Sequence, residues 1–185
     1  NGVATQSLRF DDGSSAYLHR TPSSAGNRRT FTWSSWVKRG NLGSEQTLLM
    51  AGADVNNQFR LISEFSDAQF QVYYYVSGNK FVTPSAVFRD VSAWYHVVFA
   101  IDTTQSTASN RVKIYINGEQ ITDLETENQP TQNFETQINN NTLHTIGRRS
   151  YASDSYFDGY LSEVNFVDGT ALDPTSFGEF KNGVW

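Results

Sequence analysis

Two alternating segments joined by a polar gap constrain what this chain can fold into more than any other feature. In residues 94–102, Val97, Phe99 and Ile101 fall on one face, and His96, Val98 and Ala100 on the other. In residues 111–119, Val112, Ile114 and Ile116 alternate with Arg111, Lys113 and Tyr115. A period of two among β-branched and aromatic residues predicts strands, because successive side chains of an extended chain point to opposite faces. Asn117-Gly118 supplies two residues that tolerate positive φ, which a type I′ turn demands, so residues 119–122 should return as an antiparallel partner. The gap, residues 103–110, is rich in Thr, Ser, Gln and Asn and reads as a surface loop.

The same pattern recurs along the chain. Residues 7–18 give two short strands about an Asp11-Asp12-Gly13 turn, and residues 21–29 a loop. Residues 31–37 place Trp33 on one face and Trp36 on the other, the mixture expected of a strand covered on both sides within a two-sheet sandwich. Further strands are predicted at 46–51, 59–65, 70–76, 81–83, 143–147 and 158–167, with turns at 54–57, 66–67 and 77–79, and residues 87–91 lead into the strand that begins at Trp94. Strands recurring every ~8–12 residues between turn signals are those of a sandwich or jelly roll. Residues 123–141 are polar and read as a surface excursion rather than a strand. The one helical signal is a single turn at 174–177, with Asp173 as its cap and Pro174 in first position. The expected fold is all-β, a two-sheet antiparallel sandwich in one domain over residues 1–185.

Composition narrows the function. With 185 residues, 38% of them hydrophobic, the chain can fill one core. Its net charge is −5 and no basic cluster exceeds Arg28-Arg29 or Arg148-Arg149, so a phosphate-binding surface, and nucleic acid as partner, are not expected. The absence of cysteine excludes disulfides, thiol nucleophiles and Cys-ligated metal, and leans toward a bacterial or viral origin. No apolar run approaches the ~20 residues that span a bilayer, and no basic-then-apolar leader opens the chain. Nine tyrosines and four tryptophans suit a recognition surface as well as a β core.

Several motifs together carry a family resemblance. Trp94, His96, Asp102, Tyr115, Asn117 and Gly118 resemble the laminin G-like and pentraxin-like jelly rolls of the concanavalin A-like lectin/glucanase superfamily. Residues 7–18 resemble that family's opening strand, 31–37 its next strand, and 157–166 with Ala171-Leu172 its closing strand and short tail. Residues 167–172 and 177–185 resemble the closing part of jelly-roll modules in large structural proteins of marine bacteriophages, where the chain runs on. The final apolar pair, Val184-Trp185, is followed by nothing that could cover it, so a module or fragment of a longer chain is expected.

Glucanases of the superfamily carry paired carboxylates as Glu-x-Asp-x-(x)-Glu, and no such motif occurs. The nearest cluster, Asp123, Glu125 and Glu127, lies in a polar stretch without apolar neighbours to raise an acid's pKa. Glu163 matches a position that the family fills with Glu or Asp without catalysis. His19, His96 and His144 lie in separate strands without metal or triad spacing, so no enzyme is expected. The resemblance implies a rim Ca²⁺ site, with Asp11, Asp12 and Asp158 as donors, and Asp54, Asn56, Asn57 and Asp154 as further candidates. Sugar binding needs flat aromatic faces beside planar hydrogen-bonding groups. Tyr151 and Tyr156 with Arg148, Asp154 and Asn141 form the richest loop group, and Tyr73 and Tyr75 share one strand face. The expected function is a non-enzymatic carbohydrate-recognition module on the surface of a phage virion, contacting bacterial-surface or environmental glycans. The alternative is a structural virion module that packs against copies of itself or other virion proteins. A glycoside hydrolase ranks third.

Overall fold

The computed structural model describes residues 6–63 and 68–185. Within them run β1 (Leu8–Phe10), β2 (Leu18–Arg20), β3 (Thr30–Arg39), β4 (Gln46–Asp54), β5 (Asn57–Ser63), β6 (Phe70–Tyr75), β7 (Asn79–Pro84), β8 (Tyr95–Asp102), β9 (Val112–Ile116), β10 (Glu119–Gln120), β11 (Leu124–Glu127), β12 (His144–Ile146) and β13 (Gly159–Asp168). They form two antiparallel sheets, one in the order β1-β13-β3-β8-β9-β10 and the other β11-β7-β6-β5-β4-β12-β2.

The alternation seen in the sequence becomes the core. Phe31, Trp33 and Val37 of β3, Val97, Phe99 and Ile101 of β8, and Val112, Ile114 and Ile116 of β9 point inward from the first sheet. Leu49, Phe59, Leu61, Phe70, Val72 and Tyr74 meet them from the second. The β9–β10 hairpin turns on Asn117 and Gly118 with φ of 51° and 84°. Asn117 also accepts a hydrogen bond from His96 N through its side chain at 2.9 Å and donates its own N–H to His96 O at 2.8 Å. The turn is thereby pinned to β8.

A third layer closes the outer face of the first sheet. Thr32, Ser34, His96 and Val98 point away from the core and are nonetheless buried, because residues 170–185 fold back over them. Thr32 Oγ donates to Thr170 O at 2.7 Å and accepts from Leu172 N at 2.7 Å. A single helical turn, Pro174–Ser176, follows, with the Asp173 carboxylate accepting from Thr175 N as predicted. Phe177 and Trp185 then lie against the His96 ring. Trp185 is therefore covered, by His96 and Phe180, while Val184 stays 69% exposed.

The strands flanking Asp11–Gly13 enter different sheets, β1 beside β13 and β2 beside β12. Residues 124–127, expected as excursion, add an edge strand to β7. Residues 87–91 lead into β8 as irregular chain: Phe88 packs against Phe70 and Tyr95, and Val87 and Val91 stay exposed. The turn predicted at 66–67 and the last two residues of the 59–65 strand lie outside the described residues.

Candidate functional site

The outer face of the second sheet is polar but not wet. With Phe59, Leu61, Val72 and Tyr74 turned to the core, alternation puts Gln58 and Arg60 of β5 and Gln71 and Tyr73 of β6 on the outside. Arg60 is 5% exposed and Gln58 3%. Their cover comes partly from the 147–158 loop, which crosses this face. Ser150 Oγ donates to Gly52 O at 2.7 Å, and Ser150 N to the Met50 sulfur at 3.2 Å.

Glu45 is the hub that ties loop to sheet. Its Oε1 accepts from Arg60 Nη1 at 2.5 Å, Ser155 Oγ at 2.8 Å and Arg149 Nη2 at 3.1 Å. Burial pushes the Glu45 carboxyl up. The Arg60 charge and these hydrogen bonds outweigh burial, so Glu45 sits below its ordinary value and stays ionised. The Arg60 guanidinium stacks 4.2 Å from the centroid of the Tyr73 ring, a cation–π contact. Tyr73 OH donates to Asn79 Oδ1 at 2.9 Å, and burial raises the pKa of its phenol. Arg60 Nε and Gln58 Oε1 are buried without a hydrogen-bond partner among the described residues. Unmet buried polar atoms are costly, so each calls for a physical explanation.

Beside this face lies an acidic rim. Carboxylate oxygens of Asp11, Asp12 and Asp158 fall within 4.8 Å of one another. Asn41 Nδ2 donates to Asp12 at 3.3 Å and Asp158 at 3.2 Å. Burial and then the charges of Asp12 and Asp11 raise the Asp158 pKa. Three carboxylates with oxygen atoms this close are the donor chemistry of a hard divalent cation, so these residues fit Ca²⁺. They would hold it where the first turn meets the end of the 147–158 loop.

The remaining predicted residues sort by position. Asp154 pairs with Arg149 Nε at 3.2 Å, and the Arg149 guanidinium lies 5.8 Å from the Tyr151 ring, so both join the Glu45 group rather than the acidic rim. Tyr75 shares the outward face with Tyr73, at the hairpin end of β6. Arg148 stacks on Tyr17 at 3.8 Å, and hydrogen bonds from Arg148 and then Ser15 lower the Tyr156 pKa. These two therefore link the loop to the first turn. Asn141 does not join its predicted group. It donates to Ser23 O at 3.3 Å, and β12, about 10 Å of extended chain, separates it from Arg148. Asp54 is turn chemistry, its carboxylate accepting from Asn56 N at 2.8 Å and Asn57 N at 3.0 Å. Asp123, Glu125 and Glu127 lie along an edge, each accepting from a neutral side chain. Sequence reasoning missed Glu45, Gln58, Arg60 and Gln71. The signal available was register: aligning Phe59 and Leu61 with Val72 and Tyr74 places Arg60 opposite Tyr73.

Comparison with known proteins places this geometry in context. None of the curated proteins matches the chain. Among solved structures it resembles domain 4 of AbnA, a GH43 extracellular arabinanase from Geobacillus stearothermophilus in complex with arabinotriose. The identity is 23% and the TM-score 0.58, over 80% of this chain and 65% of that one. The chain thus spans just under two thirds of that arabinanase domain. It resembles a heptameric SAP-like pentraxin from Limulus polyphemus at 17% identity and TM-score 0.57, over 88% and 72% of the two chains. It also resembles the CBM40 of the Ruminococcus gnavus IT-sialidase bound to α2,3-sialyllactose, at 16% identity and TM-score 0.58, over 86% and 95%. At these identities the likeness is one of fold. The Laminin_G_3 family model matches residues 11–176, from the first aspartate of the acidic rim to the helical turn of the tail, and the chain belongs to this family of the concanavalin A-like lectin/glucanases superfamily.

Proposed function

We propose that the protein is a non-catalytic carbohydrate-recognition module whose ligand lies on the outer face of the second sheet and against the 147–158 loop. The observation that carries this reading is the accessible group over the Glu45 hub, where Arg149 pairs with Asp154 at 3.2 Å and lies 5.8 Å from the Tyr151 ring. Arg149 and Asp154 offer planar hydrogen-bonding groups to glycan hydroxyls, and the half-buried Tyr75 and Tyr151 offer aromatic faces for its C–H surfaces. The sugars bound by the arabinanase domain and the sialidase module support it on the level of fold. Ca²⁺ at Asp11, Asp12 and Asp158 would neutralise the rim and brace the loop through Asp158. Arg148 and Tyr156 hold the neighbouring loop turn, and Asn141 stands outside the site. The proposal extends to display on a phage particle, facing bacterial-surface or environmental glycans, on the resemblance of residues 167–172 and 177–185 to phage structural modules.

A second reading has its own observation. Val164, Phe166, Phe180 and Val184 are exposed on β13 and the tail, which suits packing against copies of the chain or other virion proteins. A glycan array with the isolated chain, run with and without Ca²⁺, tests the first reading. Binding weakened by Tyr151→Ala and Asp154→Ala is the expected result. Silence across the array, with concentration-dependent self-association in sedimentation, favours the packing module.

A further inference from the structure

The tail that covers the first sheet leaves a hollow of about 490 Å³ on the side of the sandwich away from the Glu45 face. Trp36, Phe177 and Trp185 line it, together with Glu163, Glu179 and Lys181. Trp36 lies here because β3 alternates: Trp33 goes to the core and Trp36 to the outer face. Both indoles rest against the His96 ring, at 5.1 and 5.5 Å between centroids, and His96 is 2% exposed. A Cβ on Gly178 would lie 2.8 Å from the Trp185 ring, and one on Gly118 would overlap it. Trp185 therefore has a slot cut to its shape and is held rather than free to swing.

The polar wall is built with equal specificity. Pairing between β13 and β3 slips between Ser162 and Asn165, and Glu163 in that bulge takes a φ of 49°. A bulge re-aims the side chains it carries, and an exposed glutamate thus lines the hollow instead of continuing the ladder. Lys181 pairs with Glu179 at 2.7 Å across the other side.

We propose that this hollow is a second saccharide site, independent of the Glu45 face, and that it takes neutral sugars. Half-buried indoles match the C–H faces of a pyranose or furanose ring, carboxylates accept from its hydroxyls, and the ammonium donates to a ring or hydroxyl oxygen. The volume lies within the ~300–1,000 Å³ of small-molecule sites and suits one or two sugar units. Two carboxylates against one ammonium disfavour an acidic sugar.

Titration of intrinsic tryptophan fluorescence with neutral trisaccharides (maltotriose, cellotriose, xylotriose, mannotriose, arabinotriose) tests the site directly, because two of the four tryptophans line it. The site predicts a saturable change with at least one of them. It also predicts affinity falling about tenfold in Trp36→Ala, a comparable loss in Glu163→Gln, and no change in Tyr151→Ala. Glu163 is exposed, so its variant decides the matter if Trp36→Ala fails to fold. A response that Tyr151→Ala abolishes and Glu163→Gln leaves intact overturns the second site and assigns all binding to the Glu45 face. No response from any of the five sugars overturns it as well.

Discussion

His96 shows how one side chain can bind three layers together and set an acid limit on stability. It lies between Ser34, whose Oγ is 2.9 Å from its Nε2, and the rings of Trp36, Phe177 and Trp185. Burial lowers its pKa from 6.5 to about 4. Between those two values the unfolded chain binds a proton that the folded chain refuses. Stability should therefore fall as pH drops from 6.5 to about 4 and level off below, by about 3 kcal/mol for this residue. Urea denaturation across that range should show the slope, and His96→Phe should reduce it, leaving the share of His144, whose pKa burial also lowers; an unchanged slope in the variant would assign the acid sensitivity elsewhere. Glu45 is shifted instead by its neighbours, the Arg60 charge and the hydrogen bonds from Ser155 and Arg149. Replacing it with Gln leaves the Arg60 and Arg149 guanidinium groups short of their shared anion, with Arg60 almost fully buried. We expect Glu45→Gln to cost roughly 2–3 kcal/mol, read as a lowered urea midpoint at constant slope.

Strands and turns were legible in the sequence where both faces of a strand had distinct work. β8 and β9 alternate because one face meets the core, and Asn117-Gly118 announces their hairpin through the positive φ that it must adopt. β11 was not legible. As an edge strand it alternates half-buried Leu124 and Thr126 with exposed Glu125 and Glu127, and its polarity imitates a loop. The separation of β1 and β2 into two sheets was hidden too, since each partner lies more than 120 residues along the chain. The tail belongs to the same scale. Its docking depends on two glycines facing the Trp185 ring, so Gly178→Ala should lift Trp185 off His96. We expect a red shift in tryptophan emission and a loss of about 1–2 kcal/mol, whereas Gly183→Ala, whose Cβ position is open, should leave emission unchanged and cost only the strain of its positive φ.

At the scale of the molecule, the candidate site is a convergence that only the fold can make. Tyr73, Tyr151 and Asp154 were legible as chemistry, but the residue that gathers them was not. Glu45 reaches Arg149 across 104 positions and Ser155 across 110, and no local pattern encodes such a meeting. The acidic rim was more legible, because the opening-strand and closing-strand motifs name Asp11, Asp12 and Asp158 before the structure brings them within 4.8 Å. If the rim holds Ca²⁺, a concentration of about one hundred times Kd should add roughly 2.7 kcal/mol of stability, and Asp158→Asn should abolish that gain in a thermal melt. No helix among the described residues is long and apolar enough to cross a membrane. The measurement that bears most directly on the central claim is glycan binding by the intact chain beside Tyr151→Ala and Asp154→Ala, with and without Ca²⁺. The account predicts saturable binding that both substitutions weaken and that Ca²⁺ strengthens; binding indifferent to both substitutions would contradict the placement of the ligand on the Glu45 face.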